Sequence, residues 1–566
     1  MNTGKRASAF WLLLALLVAL SGCMSVSSPQ RSAYAPSEQV SPSSEAQAMY
    51  NYLKYLELKK ADKQDKALRA LQNATRLDPS PGLYIEQGRQ YMSLNKPESA
   101  RKAVKSGLQN FPGHGELVRY LARLYIEQDK LENATSLLSV YLRKHGGDPA
   151  TVAELAQIYI REERSTKSRE LLQSVPAEHR TPQIHYLLGR TRLQTDQPGQ
   201  AIPHFRSAVE AKPKYLQAWA QLGYALERQG DYAGARKAYS RLVDQGRKND
   251  ELLLKLVSLD LKLNNPDRAM KYVQEDPSGP DFLFRACSLF LRAEFYSRAE
   301  SILEMLPQSV RKKGKSLYYR AIIDLRRDQS PQKALDNLER IPSSSTMHQD
   351  ALLLRGKVLL HNQRADEALE AASQGRRDYP QSSPFWSLES RILLQQDKPG
   401  RAREILRQGL DEVTNPAELW AQLAIAEHEL GNREEALRHM RRLLEKDPEN
   451  TAALNFIGYT LVEQERDLDK AGRLIRRALK LDPGNPYYLD SLAWYLFKTD
   501  SLEKAWETIQ KAISQVQDDP TLWEHYGEIA RNLGKRDEAR KGYKKALELD
   551  PDDPGALRNK LESLPQ

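Results

Sequence analysis

The distribution of apolar positions changes character twice along the chain. Phe10 to Leu20 is one unbroken apolar run of eleven residues, preceded by Lys5 and Arg6. A membrane-spanning helix needs about 20 such residues, so the run predicts the apolar part of a secretory signal and not a span. It breaks at Leu20-Ser21-Gly22-Cys23. From Met24 to about Ala46, serine and proline dominate and no apolar face recurs, which predicts a disordered tether with a reach of roughly 25 Å. Beyond it, apolar residues recur at helical spacing in blocks that resemble one another, and strand-type patterning is absent.

The blocks align. Trp219, Trp420 and Trp523 hold one position, and Gly223, Ala424 and Gly527 lie four residues further on. Gly230, Gly431 and Gly534 follow, then Ala235, Ala436 and Ala539, and then Tyr239, Met440 and Tyr543. Gly189 to Gly223 and Trp386 to Trp420 are both steps of 34 residues. Small residues allow two helices to approach, and glycine accepts the positive φ that ends a helix. Pro448 and Pro551 cannot continue a helix and reset the chain. The frame predicts units starting near residues 48, 81, 115, 149, 182, 216 and 250, and again near 349, 383, 417, 451, 486 and 520. Residues 279–348 hold two degenerate units without the turn glycine, which makes them the expected weak joint. About fifteen helix pairs result.

This pattern resembles the tetratricopeptide repeat, a helix–turn–helix of 34 residues whose apolar stripe is buried only by stacking on its neighbours. The resemblance implies an all-α solenoid, a right-handed superhelix. The expected organisation is a signal segment at 1–22, a tether at 23–47 and an N-terminal array at 48–278. The degenerate repeats at 279–348, a C-terminal array at 349–553 and a tail or capping helix at 554–566 complete it.

Leu20 to Cys23 resembles the bacterial lipobox, which implies cleavage before Cys23 and acylation of its thiol. Several acyl chains hold a protein to a bilayer stably. Met24, where retained lipoproteins often carry aspartate, points to the outer membrane, facing the periplasm. The other cysteine, Cys287, falls among Phe282, Phe284 and Leu289 and reads as a small buried hydrophobe. No disulfide is expected.

The formal charge of +10 falls to +8 without Lys5 and Arg6. Export makes nucleic acid an unsuitable partner for this surplus. An anionic glycan or an acidic protein suits it better. Arg438, Arg441 and Arg442, then Arg473, Arg476, Arg477 and Lys480, form a basic stripe on successive second helices. Such a stripe is either a solvated face or a contact for an anionic surface. No His-Glu-x-x-His, zinc-type cysteine pair, phosphate loop or Gly-x-Ser-x-Gly elbow occurs. The ten histidines read as solvated or edge residues, with His428 and His439 on different helices of one unit. Neither catalytic residues, nor a metal site, nor a cofactor is expected.

In the resembled family the first helix of each pair lines the concave groove. Helical spacing then places Asn455, Phe456 and Tyr459 in it, together with Tyr487, Asp490, Trp494 and Phe497, and Gln422 and Ile425. The packing positions are already taken by Leu454, Ile457, Leu461, Leu489, Leu492 and Leu496. Apolar groups that the stack does not need suggest a partner-binding patch. The alternative is that the aromatics pack on the next helix.

The segment from Leu454 is more specific. Leu454-Asn455 with Gly458-Tyr459, Ala471 to Ala478, and Leu489-Asp490-Ser491 with Trp494 resemble the C-terminal repeats of LbcA-type protease-adaptor lipoproteins of the bacterial outer membrane. The N-terminal half matches that type only in the repeat pattern. The resemblance implies a periplasmic adaptor for a processing protease or cell-wall hydrolases. A structural scaffold of an exopolysaccharide or pilus export machine is the second expectation.

Overall fold

The computed structural model describes residues 42–275, 278–551 and 553–564. The signal segment, Cys23 and most of the tether lie outside the described residues. Among those described, helices alternate with short turns in fifteen consecutive pairs, from Ser44–Lys60 with Gln64–Leu77 to Pro520–Asn532 with Arg536–Glu548. Pro554–Glu562 follows as the expected terminal helix. The architecture is the all-α repeat array expected, with no strand among the described residues. The first helix begins at Ser44, four residues ahead of the expected start. The described residues divide into two compact units, one ending at Gln229 and one beginning at Gly230. This division falls inside the expected 48–278 array.

Each pair is punctuated by its own residues. Three inner helices, the first of their pairs, open with proline after an Asp or Asn cap. Asp148 accepts from the backbone of Ala150 and Thr151, Asn485 from Tyr487 and Tyr488, and Asp519 from Thr521 and Leu522. Such caps satisfy orphan helix donors and contribute about 1 kcal/mol each. Close approach within a pair depends on glycine: a Cβ on Gly189 would sit 2.6 Å from the Phe205 ring, and one on Gly527 2.6 Å from Tyr543. Three of the tryptophans tie the loop ahead to the helix. Trp219, Trp386 and Trp523 donate their indole N–H to the carbonyls of Pro213, Pro380 and Gln517.

The turn between the helices of a pair holds a left-handed residue throughout, and in one turn two, Glu465 and Asp467. Gly230, Gly431 and Gly534 have φ of +85°, +77° and +71°. Elsewhere the same place is taken by a side chain, as at Asp129 (+55°), Asn264 (+57°) and Asp397 (+53°). Successive left-handed residues are mostly 33 or 34 apart, which brings charged residues of adjacent pairs together. Arg161 meets Asp129 at 2.9 Å, Arg466 meets Glu434 at 3.2 Å and Lys498 meets Glu465 at 2.7 Å. These exposed pairs contribute at most about 1 kcal/mol each.

Residues 279–348 contain the two expected pairs, with Glu294 (+63°) and Gln329 (+46°) in place of the turn glycine. They are not short of core. Leu253, Val257, Phe282, Cys287, Phe290, Ile302 and Ile323 belong to one buried cluster, and Leu317, Ala334, Leu338 and Ile341 to another. Cys287 is fully buried, as expected, and burial pushes its thiol up to about 12. The irregularity is in the outer helices. Tyr296–Met305 and Pro331–Glu339 have 10 and 9 residues, as Ser165–Gln173 has 9 in the first unit. All three run into a buried aliphatic residue followed by proline: Val175-Pro176, Leu306-Pro307 and Ile341-Pro342. A later side chain returns to that aliphatic residue's carbonyl. Arg180 Nε donates to Val175 O at 3.0 Å, Arg311 Nε to Leu306 O at 2.6 Å, and His348 Nδ1 lies 3.2 Å from Ile341 O.

The left-handed position gives a paired test. A non-glycine residue there costs roughly 1–2 kcal/mol, partly offset by glycine's larger unfolded-state entropy. Gln329→Gly is therefore expected to stabilise by up to about 1 kcal/mol, and Gly431→Ala, which meets no steric neighbour, to destabilise by about 1 kcal/mol. Urea unfolding of both variants checks this, and shifts of the same sign would refute it.

Candidate functional site

The inner helices of successive pairs touch, as do Thr451–Glu463 with Pro486–Lys498 and Pro486–Lys498 with Pro520–Asn532. Their shared face is read most simply from the left-handed residues. Six positions before each lies one groove column, which in the last four pairs reads Ile425, Tyr459, Trp494 and Glu528.

The aromatic members gather around a residue the sequence did not single out. Trp494 stacks on His525 at 4.1 Å and 15°, and on Phe497 at 4.8 Å and 19°. The Tyr459 ring lies 6.2 Å from His525. The Trp494 indole donates to the Glu463 carboxylate, and Lys498 lies 5.3 Å above the Trp494 ring. Phe456 meets His428 edge-on at 5.7 Å. Tyr487 is 51 % exposed at the head of its helix.

The expected separation of groove from core is not strict. Phe456 and Trp494 are half-buried against the cluster that contains Ile457, Ile475 and Tyr495, and Phe497 against the one that contains Ile509 and Tyr526. Burial pushes the Tyr459 phenol up. Asp490 does not face a partner. It is 5 % exposed, and its Oδ1 lies 2.8 Å from His525 Nδ1. The side-chain oxygen of Asn455 is buried without a hydrogen-bond partner among the described residues. Tyr487 is thus the most open of the seven candidates.

His525 corrects the expectation of solvated histidines. It is buried, because it comes from the next inner helix and sits between Asp490 and the Trp494 ring. Burial opposes its charge, but the Asp490 carboxylate outweighs this and the imidazole pKa is raised. His439 is also buried; burial, with Arg442 nearby, lowers its pKa. His428 and His439 do lie on different helices of one pair. Only the 35-residue step from Asp490 to His525, one repeat on, could have disclosed the buried pair.

The basic stripe is exposed on Arg433–Lys446 and Leu468–Leu481. Arg438 pairs with Glu435 at 3.1 Å, and Arg476 lies 5.0 Å over the Tyr495 ring. Among the described residues, no group of His, Cys, Asp and Glu is arranged to hold a metal ion, and no helix is long and apolar enough to cross a membrane.

This arrangement of paired helices with a lined inner face defines a helical-repeat protein of the kind that serves as a protein-binding scaffold. Tetratricopeptide-repeat models match residues 85–149, 186–250, 319–383 and 421–486, and a second such model matches 520–553, together more than half of the chain. The chain belongs to the tetratricopeptide-repeat family. It is 28 % identical over 189 residues to the TPR repeat-containing protein PA4667 of Pseudomonas aeruginosa, which covers 33 % of this chain and 30 % of that protein. To the TPR repeat-containing protein PA0015 of the same organism it is 36 % identical over 58 residues, 10 % of this chain and 55 % of that one. The matches thus span only part of these relatives' length. Among solved structures, Cut9 with Hcn1 in an APC/C hetero-tetramer aligns at 15 % identity and a TM-score of 0.38, over 87 % of this chain and 98 % of that one.

The His525–Asp490 pair predicts a pH dependence. A pKa raised in the folded state gives stability that is fully present below the ordinary imidazole value and lost as pH rises through the folded value. The His525 contribution should therefore fall as pH rises, so Asp490→Asn should lower stability most at pH 6, by about 3 kcal/mol, and less at pH 9. Equilibrium denaturation of both proteins at the two pH values measures this. A loss that grows with pH would contradict it.

Proposed function

We propose that this chain is a non-catalytic, membrane-anchored periplasmic adaptor of the bacterial envelope, which docks protein partners in the groove of its C-terminal repeats. The observation that carries the docking is the aromatic constellation of Phe456, Tyr459, Trp494 and Phe497, with Tyr487 exposed at the head of the helix that carries Trp494. Large rings at a partly open face make effective interface anchors, each contributing 2 kcal/mol or more when a partner buries it. The anchor is Cys23, supported by the lipobox-like run Leu20 to Cys23. Outer-membrane placement is the reading that Met24 after Cys23 supports. A processing protease or cell-wall hydrolases are the proposed clients, supported by the resemblance of the segment from Leu454 to adaptor lipoproteins. A second reading, a scaffold of an envelope export machine, is favoured by the exposed cations of Leu468–Leu481, which suit an anionic glycan.

Two experiments test this. Cys23→Ser is expected to move the protein from the membrane pellet to the soluble fraction with its helicity intact; a variant that stays in the pellet at high salt would refute the anchor. Crosslinked envelopes should yield a protein client with the wild-type chain. Tyr487→Ala should reduce that capture roughly tenfold or more with an unchanged melting temperature, because Tyr487 packs little. Trp494→Ala should lose capture and also melt lower, since it removes a ring from the stack. Undiminished capture by both variants would exclude this groove.

A further inference from the structure

The first described helix, Ser44–Lys60, has one side built into the array and one side left open. On the built-in side Tyr55 is fully buried with Ala67 and Leu71 of its own pair, and Lys59 Nζ lies 2.9 Å from Glu86 Oε1 on the next inner helix. On the open side Met49, Tyr50, Leu53 and Leu56 are 61, 64, 57 and 44 % exposed. Steps of three and four residues place them on one helix face. Of the nine large hydrophobic residues exposed among the described residues, these are four. They form a stripe, unlike the single apolar residues that a surface ordinarily carries.

The array buries this face elsewhere. Tyr50 stands twelve residues before the left-handed Asp62. Twelve before Asp129, Glu163, Asp196 and Gly431 stand Leu117, Thr151, Ile184 and Leu419, all four fully buried. The pair before provides the cover: Leu117 clusters with Val104, Ile184 with Leu172 and Leu419 with Leu406, each on the preceding outer helix. Among the described residues no pair precedes Ser44–Lys60. The end of a repeat array ordinarily carries a polar outer face, and this end is apolar. Residues 24–41, rich in serine with two prolines, offer no recurring apolar face to replace the missing pair.

We propose that a second copy of this chain covers the stripe, the two Ser44–Lys60 helices packing antiparallel about a two-fold axis near Leu53. The helix is complementary to itself in that register. Met49 of one copy meets Leu56 of the other, and Leu53 meets its own counterpart. Glu45, in the acidic first turn, approaches Lys60 in the basic last turn. Glu45 and Lys60 are exposed, and neither has an ion-pair partner among the described residues. A parallel pairing sets Glu45 against Glu45 and Lys60 against Lys60, so charge selects the antiparallel one. A contact of this kind uses the same patch on both copies and closes at two. One helix face is smaller than the roughly 800 Å² per partner of a standard complex, which makes the association dependent on concentration. The dimer requires neither the aromatic groove nor the anchor at Cys23.

The test is sedimentation velocity on the full chain carrying Cys23→Ser, from low to high micromolar concentration. This chain should pass from monomer to dimer. Adding Leu53→Glu, a change at an exposed residue, should weaken association about tenfold or more with an unchanged melting temperature. Glu45→Lys and Lys60→Glu should each weaken it about threefold or more, and the two together should recover it. Register is read by disulfide trapping, with Cys287 buried and inert. A mixture of Met49→Cys and Leu56→Cys chains should crosslink, and Met49→Cys chains alone should not. A chain that stays monomeric at every concentration overturns the proposal; if it also floats with anionic phospholipid vesicles, the stripe belongs to a bilayer instead. A dimer that Leu53→Glu leaves intact, or one that the paired charge reversal fails to recover, overturns it too.

Discussion

The left-handed residue between the two helices of a pair is the constraint from which the array's other regularities follow. An α-helix has no intrinsic reason to stop after 13 residues, the length of inner helices such as Thr451–Glu463 and Pro486–Lys498. One residue at positive φ stops it, turns the chain and starts the outer helix on a defined face. Because that residue returns every 33 to 35 positions along most of the chain, each side chain stands beside its counterpart one repeat away. Ion pairs such as Arg161 with Asp129 and Lys498 with Glu465 follow from this register. So does the buried bond from Asp490 to His525. The cost of holding Asp129, Glu294 or Gln329 in that conformation is met by burial on both sides of the turn.

The same register explains why the aromatic face is only partly a surface. A residue in the groove column also borders the next inner helix, so a large ring there is covered along one edge. Trp494 is the clearest case. Its indole bonds to Glu463 on the helix before it, and its face lies on His525 of the helix after it. The imidazole lies flat against the Trp494 ring and is held there by its hydrogen bond with Asp490. It thereby couples three repeats through one stack, which stiffens that part of the groove.

How far this was legible in the sequence depends on whether the determinant lay within one repeat or between two. Trp219, Trp420, the glycines and the small residues at Ala436 and Ala539 act within a pair, recur at a fixed step and disclosed the period. The turn position was recognised only where it is glycine. Glu294 and Gln329 do the same work, so the stretch around them looked more degenerate than its helix pairs are. The shortening of Tyr296–Met305 has a sequence mark in Leu306-Pro307 and Arg311, but the mark carries meaning only once the hydrogen bond from Arg311 is seen. Asp490 was placed in the groove because its spacing is that of a groove residue. A partner one repeat away turned it inward, and no pattern within its own helix reports that.

A repeat array separates what must be kept from what can vary. Core positions such as Leu121, Ile158, Ile457 and Ile529 are buried in every part of the chain, and each repeat's stability depends chiefly on itself and its neighbours. The column six residues before the turn lies at the margin of that core. It therefore tolerates an arginine at 123 and 190, a tyrosine at 459 and a tryptophan at 494 without disturbing the backbone course. What differs is the kind of surface that can settle there.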